Sequence, residues 1–436
     1  MEMKDTKIGF CIPDFDPIRL KDFLASNDAG KWGADPTGEN DISVVRSTNF
    51  NDTGYLDLSD VAVRCLSDDE FQKTKLLEND IVIERSGGSA NQPVGRVSFV
   101  TKEIEDTGFG FSNFIQRIRV SDEYNAKYIF YCLYHLHSAG ITQTMQTQTN
   151  GIRNLEYRYY LNQKLPKPSP TEQTQIANFL SSVDKAIQAT KNSIAKLEKL
   201  KTSLMQNLLT GKMKPDGSWR TEDEFWIDDK FGKVPNGWIV SNIGSFGELK
   251  TGKTPPTADE KNFSLTKDIP FVTPGDVDNS VYILDTERYV TKQGFRFSNS
   301  IPKDSVCFIS IGSTIGKIAI TTELCCSNQQ INSIISDENN YFLFVYYQTM
   351  FNSPRIKSIA GVTATPQINK SDLSKFKLIK PHSFDEQKLI GDKLIIIDDC
   401  IVKKQETIKR FDSLKKSLMQ NLLTGKVRIP QEALKQ

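Results

Sequence analysis

The chain has 436 residues, 38% hydrophobic and 25% charged, with 55 Lys+Arg against 54 Asp+Glu and a formal net charge of +1. That composition supports more than one apolar core and, by length, two to four domains. It excludes a global polycation, so basic groups for any nucleic-acid partner must be arranged locally.

The opening "MEMKDTKIGF" has no basic region followed by an apolar run, and no stretch of about 18 uncharged apolar residues occurs. Neither a signal peptide nor a membrane span is expected. The cysteines (Cys11, Cys65, Cys132, Cys307, Cys325, Cys326 and Cys400) form no C-x-x-C pair. They fit reduced thiols in a cytoplasm.

Residues 1–165 are rich in Phe, Tyr, Val, Ile, Thr, Gly and Asn, which predicts short strands and turns. His135 and His137, in "YHLHS", are the one His cluster. They lack the further ligands a metal needs, so packing is their expected role. The run "QTMQTQTNG" (143–151) reads as a polar loop of amides and hydroxyls.

Residues 166–212 carry a helical period. Ile176, Leu180, Val183, Ile187, Ile194, Leu197, Leu204 and Leu208 fall on alternating steps of three and four, the pattern of a coiled-coil core. Pro168 and Pro170 precede the helix, Thr171 is a candidate N-cap and Gly211 the stop. Glu172 and Gln173 then stand one position too early for a capping box. About 39 residues at about 1.5 Å each make a rod of roughly 58 Å. Residues 213–237 read as a polar surface connector.

Gly247–Thr254, "GELKTGKT", matches the phosphate-loop pattern G-x-x-x-x-G-K-[ST]. A working loop needs a buried strand before it and a helix after it. "IVSNIGSF" is a poor buried strand, and "PPTADEKNF" has two prolines and no apolar face. A nucleotide site is therefore not expected, and Lys253 reads as a turn lysine or a DNA-phosphate contact. A nuclease-like set forced from Pro215, Asp216, Asp228 and Lys230 lies in the connector, away from any sheet. The methyltransferase signature Asn/Asp-Pro-Pro-Tyr/Phe and the G-x-S-x-G elbow are absent.

Residues 238–380 echo residues 1–165. "DISVVRSTNF" (41–50) resembles "DIPFVTPGDV" (268–277). "NDIVIERSGG" with "VGRVSFV" (79–100) resembles "KDSVCFISIGSTIGKIAI" (303–320). "FSNFIQRIRV" (111–120) resembles "CSNQQINSII" (326–335), which pairs Asn113 with Asn328 and assigns both to a shared frame. "TNGIRNLEYRYYLNQKLPKP" (149–168) resembles "TPQINKSDLSKFKLIKP" (365–381). The frame is shared while the polar residues within it differ.

Residues 381–426 repeat the first helix, and 427–436 form a tail. "SLMQNLLTGK" occurs at Ser203–Lys212 and again at Ser417–Lys426. At the same offset Asp184, Leu200 and Lys201 recur as Asp398, Leu414 and Lys415. Ile390, Leu394, Ile397, Ile401, Ile408, Phe411, Leu418 and Leu422 hold the core phases of the first copy. Thr190 and Lys404 interrupt one phase, and Lys201 and Lys415 another. Polar residues at such positions fix register. Asp385 is the matching N-cap candidate and Gly425 the stop. The predicted fold is α+β: two β-rich modules separated by two long helices in an antiparallel coiled coil, with an internal pseudo-twofold repeat.

The repeat plan, the "EQ…I…L" helix openings and the paired "LLTGK" endings resemble specificity subunits of type I restriction-modification systems over nearly the whole chain. The resemblance implies that each variable module is a target-recognition domain. It also implies that each long helix is a spacer that docks a methyltransferase subunit, and that this chain has no catalytic centre. The implied partners are double-stranded DNA, two methyltransferase subunits and a restriction subunit where one exists, in a bacterial or archaeal cytoplasm. S-adenosylmethionine, ATP and Mg would sit on those partners, with none on this chain and no metal.

Two related heads on a twofold frame suit a split DNA site, with rod length setting the unread gap at about 3.4 Å per base pair. Lys and Arg supply phosphate contacts, while Arg, Gln and Asn supply base-edge contacts. The expected DNA-binding residues of the first head are Arg46, Arg85, Ser86, Asn91, Gln92, Arg96, Gln116, Arg117, Gln146, Gln148, Asn150 and Arg153. Those of the second are Lys253, Thr254, Asp276, Ser313, Thr314, Lys317, Gln329, Gln330, Thr363, Thr365, Gln367, Asn369 and Lys370. Two rival readings are a coiled-coil protein scaffold with β-rich binding modules and an enzyme using the phosphate-loop match.

Overall fold

The computed structural model describes residues 4–89, 92–149, 151–278, 280–360 and 366–429. The principal helices are α1 (Ala126–Ser138), α2 (Pro170–Leu208), α3 (Phe342–Lys357) and α4 (Phe384–Leu422). The chain divides into two units, residues 1–190 with 407–436, and residues 191–406. Each unit therefore holds one β-rich head, half of α2 and half of α4.

In the first unit the strands are β1 (Leu24–Ala29), β2 (Asp41–Val45), β3 (Ile81–Glu84), β4 (Ser86–Gly88), β5 (Val97–Phe99), β6 (Gly110–Phe111), β7 (Ile115–Val120), β8 (Gln146–Thr149) and β9 (Ile152–Leu155). An antiparallel sheet runs β1–β7–β3–β5, a short parallel pair joins β2 to β6, and a separate antiparallel sheet runs β8–β9–β4. One core unites Ile81, Ile83 and Ile118 with Tyr128, Phe130, Tyr131 and Leu133 of α1, Ile176, Ala177 and Leu180 of α2, and Met419, Leu422 and Leu423 at the end of α4.

In the second unit β10 (Gly247–Thr251), β15 (Ile331–Ser336), β12 (Val306–Ile309) and β13 (Ile318–Thr321) pair antiparallel in that spatial order. Strand β11 (Ile269–Val272) pairs parallel with β14 (Cys326–Ser327). Leu208 and Leu209 at the end of α2 share a core with Ile390 and Leu394 early in α4 and with Phe344, Tyr346 and Tyr347 of α3. In both units the beginning of one long helix lies with the end of the other, which is an antiparallel arrangement.

Helices α1 and α3 are the elements that strand-and-turn composition did not anticipate. Helix α3 is buried over most of its circumference, so little amphipathic period marks it, whereas α1 has an apolar face that its Tyr- and Phe-rich, strand-like composition hid. The expected seam residues divide into two groups. Ile176, Leu180, Val183, Ile187, Leu208, Ile390, Leu394, Ile397, Ile401 and Leu422 are buried. Ile194, Leu197, Leu204, Ile408, Phe411 and Leu418 are half-buried. The best-buried positions are those that also pack on a head, so the helices are not a free-standing coiled coil.

The core phase that Lys201 and Lys415 interrupt holds cross-helix ion pairs. Lys415 Nζ lies 2.6 Å from Asp184 Oδ1, and Lys201 Nζ lies 2.6 Å from Asp398 Oδ1. Tyr131 Oη donates to Asp184 at 2.7 Å, and Tyr347 Oη donates to Asp398 at 2.6 Å. The same tyrosine–aspartate–lysine group is thus built once in each unit.

The helix starts differ from expectation. Ser169 Oγ accepts Glu172 N and Ser383 Oγ accepts Glu386 N, each at 3.3 Å. The caps are therefore Ser169 and Ser383, not Thr171 and Asp385. With them the sequence reads S-x-x-E, the capping-box spacing, and Pro170 takes the first helical position, where a missing N–H does no harm. Gly211 (φ 68°) and Gly425 (φ 72°) end the helices in the left-handed region, as expected.

Residues 213–237 are more than a connector. Phe225–Asp228 and Gly232–Pro235 form an antiparallel hairpin, and Arg220 pairs with Glu386 at 2.6 Å. Asp216 and Asp228 close turns by accepting backbone N–H groups of Ser218, Lys230 and Phe231, which accounts for them without a metal.

Candidate nucleic-acid interface

In the first unit the β8–β9–β4 sheet gathers several expected residues. Pairing sets Gln148 opposite Arg153 and Gln146 opposite Leu155. Alternation sends these four to one face, and Thr147, Ile152 and Asn154 to the other. Leu155 is core, and Gln146 Nε2 beside it donates to Val94 O at 2.9 Å. Gln148 is exposed and Arg153 half-buried. On the opposite face Ser86 Oγ donates to Asn154 Oδ1 at 2.5 Å. Arg85, just before β4, is exposed, with its guanidinium 5.9 Å from the Tyr157 ring centroid. Arg46 pairs with Asp60 at 2.7 Å on the surface.

Three expected contacts are withdrawn from the surface by burial. Arg96 is 6% exposed and makes a two-pronged ion pair with Glu84, at 2.9 and 2.8 Å. It also donates to Phe50 O and Ser47 O, at 2.6 and 3.0 Å. Burial pushes the Glu84 carboxyl up, against the pull of Arg96. With its amide oxygen turned inward, Gln92 accepts from the same guanidinium at 2.9 Å. Arg117 is buried on β7, donating to Lys75 O at 2.8 Å and pairing with Asp28 at 2.7 Å. Burial raises the Asp28 carboxyl, but Arg117 outweighs it and the net shift is downward. Gln116 is buried in the same central strand. Long polar side chains in a β-rich segment look alike in sequence whether they face water or an ion pair inside.

In the second unit the candidates converge at the end of β12. Ser310 N donates to Gln330 O at 2.7 Å, Ile368 N to Ser310 O at 2.8 Å and Gly312 N to Pro366 O at 3.1 Å. This brings together the turn with Ser313, Thr314 and Lys317, the turn with Gln329 and Gln330, and Gln367, which bridges Ile311. Thr254 Oγ1 donates to Gln329 Oε1 at 2.9 Å, which joins the Lys253–Thr254 segment to the group. Lys253, Ser313, Lys317, Gln329 and Gln367 are exposed.

Two expected contacts are occupied in local structure. Asp276 accepts from Thr273 N and Thr273 Oγ1, both at 2.7 Å, and from Glu287 N at 2.8 Å. Asn369 Oδ1 caps the short helix Lys370–Lys375 by accepting Asp372 N at 2.9 Å, and Lys370 opens that helix exposed. Asn91, Asn150, Thr363 and Thr365 lie outside the described residues. The phosphate-loop match is strand β10 continuing as extended chain. A Cβ on Gly252 would lie 2.0 Å from Asn328 O, so that glycine serves a close backbone approach.

The heads can now be matched by hydrogen bonds instead of letters. Arg85 N donates to Phe114 O at 2.9 Å and Leu155 N to Arg85 O at 2.8 Å, as Ser310 N does to Gln330 O and Ile368 N to Ser310 O. Ser112 N donates to Val45 O at 2.8 Å, as Asn328 N does to Val272 O at 3.1 Å. So Ser112 matches Asn328, and the expected pairing of Asn113 with Asn328 is one residue out of step. The matched points carry Arg85 and Ser310, Phe114 and Gln330, Asn154 and Gln367. Phe114 and Asn154 were missed in the sequence, where an aromatic between turn and strand reads as core; here Phe114 is 45% exposed.

The model of the type I restriction modification DNA specificity domain matches residues 14–199 and again residues 235–410. A chain assigned as specificity subunit of the type I restriction enzyme MjaX of Methanocaldococcus jannaschii is 24% identical over 438 residues, 98% of this chain and 96% of that one. The specificity subunit of type I restriction enzyme HindI from Haemophilus influenzae is 29% identical over 199 residues, 44% of this chain and 42% of that one. The crystal structure of a type I restriction-modification S subunit from M. genitalium shares the fold, with a TM-score of 0.59 at 15% identity over 96% of this chain and 99% of that one. With both heads and the beginnings of both long helices inside the matched segments, the chain belongs to the type I restriction modification DNA specificity family.

Proposed function

We propose that this chain reads a split DNA target, one short half-site per head, and delivers it to two methyltransferase subunits. Methylation of adenine from S-adenosylmethionine, and any cutting that needs ATP and Mg, belongs in this reading to the partners. The observation that carries it is the shared frame. Matching backbone hydrogen bonds present Phe114 and Asn154 in one head and Gln330 and Gln367 in the other, while at the third matched point exposed Arg85 answers to Ser310, which is buried and accepts from Asn332. A frame kept constant while its outward side chains change is what two readers of different base sequences need.

The repeated helix ends support two copies of one partner. Leu208 and Leu422 are identical because both are core. Ser203 and Ser417, Gln206 and Gln420, and Lys212 and Lys426 are identical yet exposed. Packing does not require that identity, whereas docking the same surface twice does.

The test is to co-express the chain with the methyltransferase subunit of its system and map methyladenine across the host genome by single-molecule sequencing. The expected result is a new two-part motif modified on both strands. A stable complex that creates no new motif would overturn the reading and favour a protein scaffold.

A further inference from the structure

The matched pair Phe114 and Gln330 poses a question that the fold does not answer. Among the described residues Phe114 belongs to no core cluster, and it stands exposed among Arg85, Ser86 and Ser47 (a Cβ on Gly87 would lie 3.2 Å from Ser47 Oγ and 3.8 Å from the Phe114 ring). The frame does not require an apolar residue at this point, because the second head carries a glutamine there. In both heads the residue's own carbonyl is tied to the neighbouring strand, at 2.9 and 2.7 Å. The backbone is fixed and the side chain is left to vary.

We propose that this point is a base-reading position in both heads, Phe114 recognising the methyl group of a thymine and Gln330 recognising an adenine. The proposal rests on the DNA-reading function above and deepens it. Phenylalanine has no hydrogen-bonding group, so the distinctive base-edge feature it can select in the major groove is the thymine methyl. Glutamine can donate to adenine N7 while accepting from N6. Gln330 Oε1 already accepts from Asn328 Nδ2 at 2.9 Å, which orients the amide and leaves the oxygen a second lone pair.

The test uses the complete methyltransferase complex and synthetic duplexes carrying its mapped motif. Each thymine in the half-site of the first head is replaced in turn by deoxyuridine, which lacks only the methyl. At one position the unmodified complex should bind about three- to five-fold more weakly, the effect of one buried methyl. The Phe114→Ala complex should bind both duplexes alike. In the other half-site, 7-deazaadenine at one position should weaken the unmodified complex and leave Gln330→Ala unaffected.

Phe114→Gln guards against misfolding, since the other head holds glutamine at this point. It should keep the melting transition and change the methylated motif at one base pair of one half-site. A first half-site without an A·T pair overturns the proposal. So does uracil sensitivity that persists in Phe114→Ala, or a motif unchanged by Phe114→Gln. Failure of the unmodified complex to bind any duplex would instead strike the DNA-reading function itself.

Discussion

Lys415, near the end of α4, holds its ammonium 2.6 Å from the carboxylate of Asp184 in α2, and both side chains are less than one-tenth exposed. The ammonium also lies 4.2 Å from the Tyr134 ring centroid. Tyr131 and Tyr55 donate to the same carboxylate, at 2.7 and 3.3 Å. Removing the lysine leaves a buried carboxylate that keeps its tyrosine hydrogen bonds but has lost its counter-charge, at about 3–5 kcal/mol. Lys415→Met should therefore lower the melting transition of the first unit by about 6–20 °C. Adding Asp184→Leu should recover much of that loss, because two apolar residues strand no charge. Calorimetry on the single and double variants checks this; additive losses would refute it.

Arg96 separates frame from readout. Its pairing with buried Glu84 predicts that Arg96→Ala destabilises the first unit by about 3–5 kcal/mol. Arg85→Ala and Arg153→Ala, on the surface sheet, should leave the melting transition nearly unchanged. Each should instead weaken DNA binding across sequences and reduce the slope of log affinity against log salt by about one where a phosphate contact is lost. Anisotropy titrations at several salt concentrations decide the matter.

Gly211 ends α2 where no side chain fits. A Cβ there would lie 2.2 Å from Pro235 Cγ, a rigid ring, on a backbone at φ 68°. Left-handed strain and overpacking together predict a loss of about 3 kcal/mol for Gly211→Ala. Gly425→Ala should cost less, since its nearest neighbour is Cγ1 of the Ile12 side chain at 2.7 Å. Urea denaturation of the two variants should rank them in that order.

Acid should weaken the first unit through α1. Burial holds the pKa of His135 and of His137 below the ordinary 6.5. The unfolded chain then binds protons that the folded chain refuses. The contribution is fully present above about pH 6.5 and is lost as pH falls from there through the depressed folded values. Replacing both histidines by glutamine should flatten the melting temperature over that window. An unchanged pH dependence in the double variant would refute the assignment.

What could be learned from the letters alone was whatever repeats or recurs with a period. The doubled "SLMQNLLTGK", the three-and-four spacing from Ile176 to Leu208 and the punctuation at Pro170 and Gly211 are local properties of a helix. They need no tertiary context to be recognised. The two-head plan and the family followed from them.

Tertiary structure decided which way the long polar side chains face. Arg96 and Arg153 are both arginines in short β-rich stretches, yet one is locked inside by Glu84 and the other stands on a surface sheet. Helix α3 escaped notice for a related reason: an element buried nearly all round leaves little alternation to read. Asp184 and Asp398 look like ordinary helix-surface acids until the lysine of the other helix arrives. That meeting depends on antiparallel packing, and hundreds of intervening residues keep it out of any local pattern.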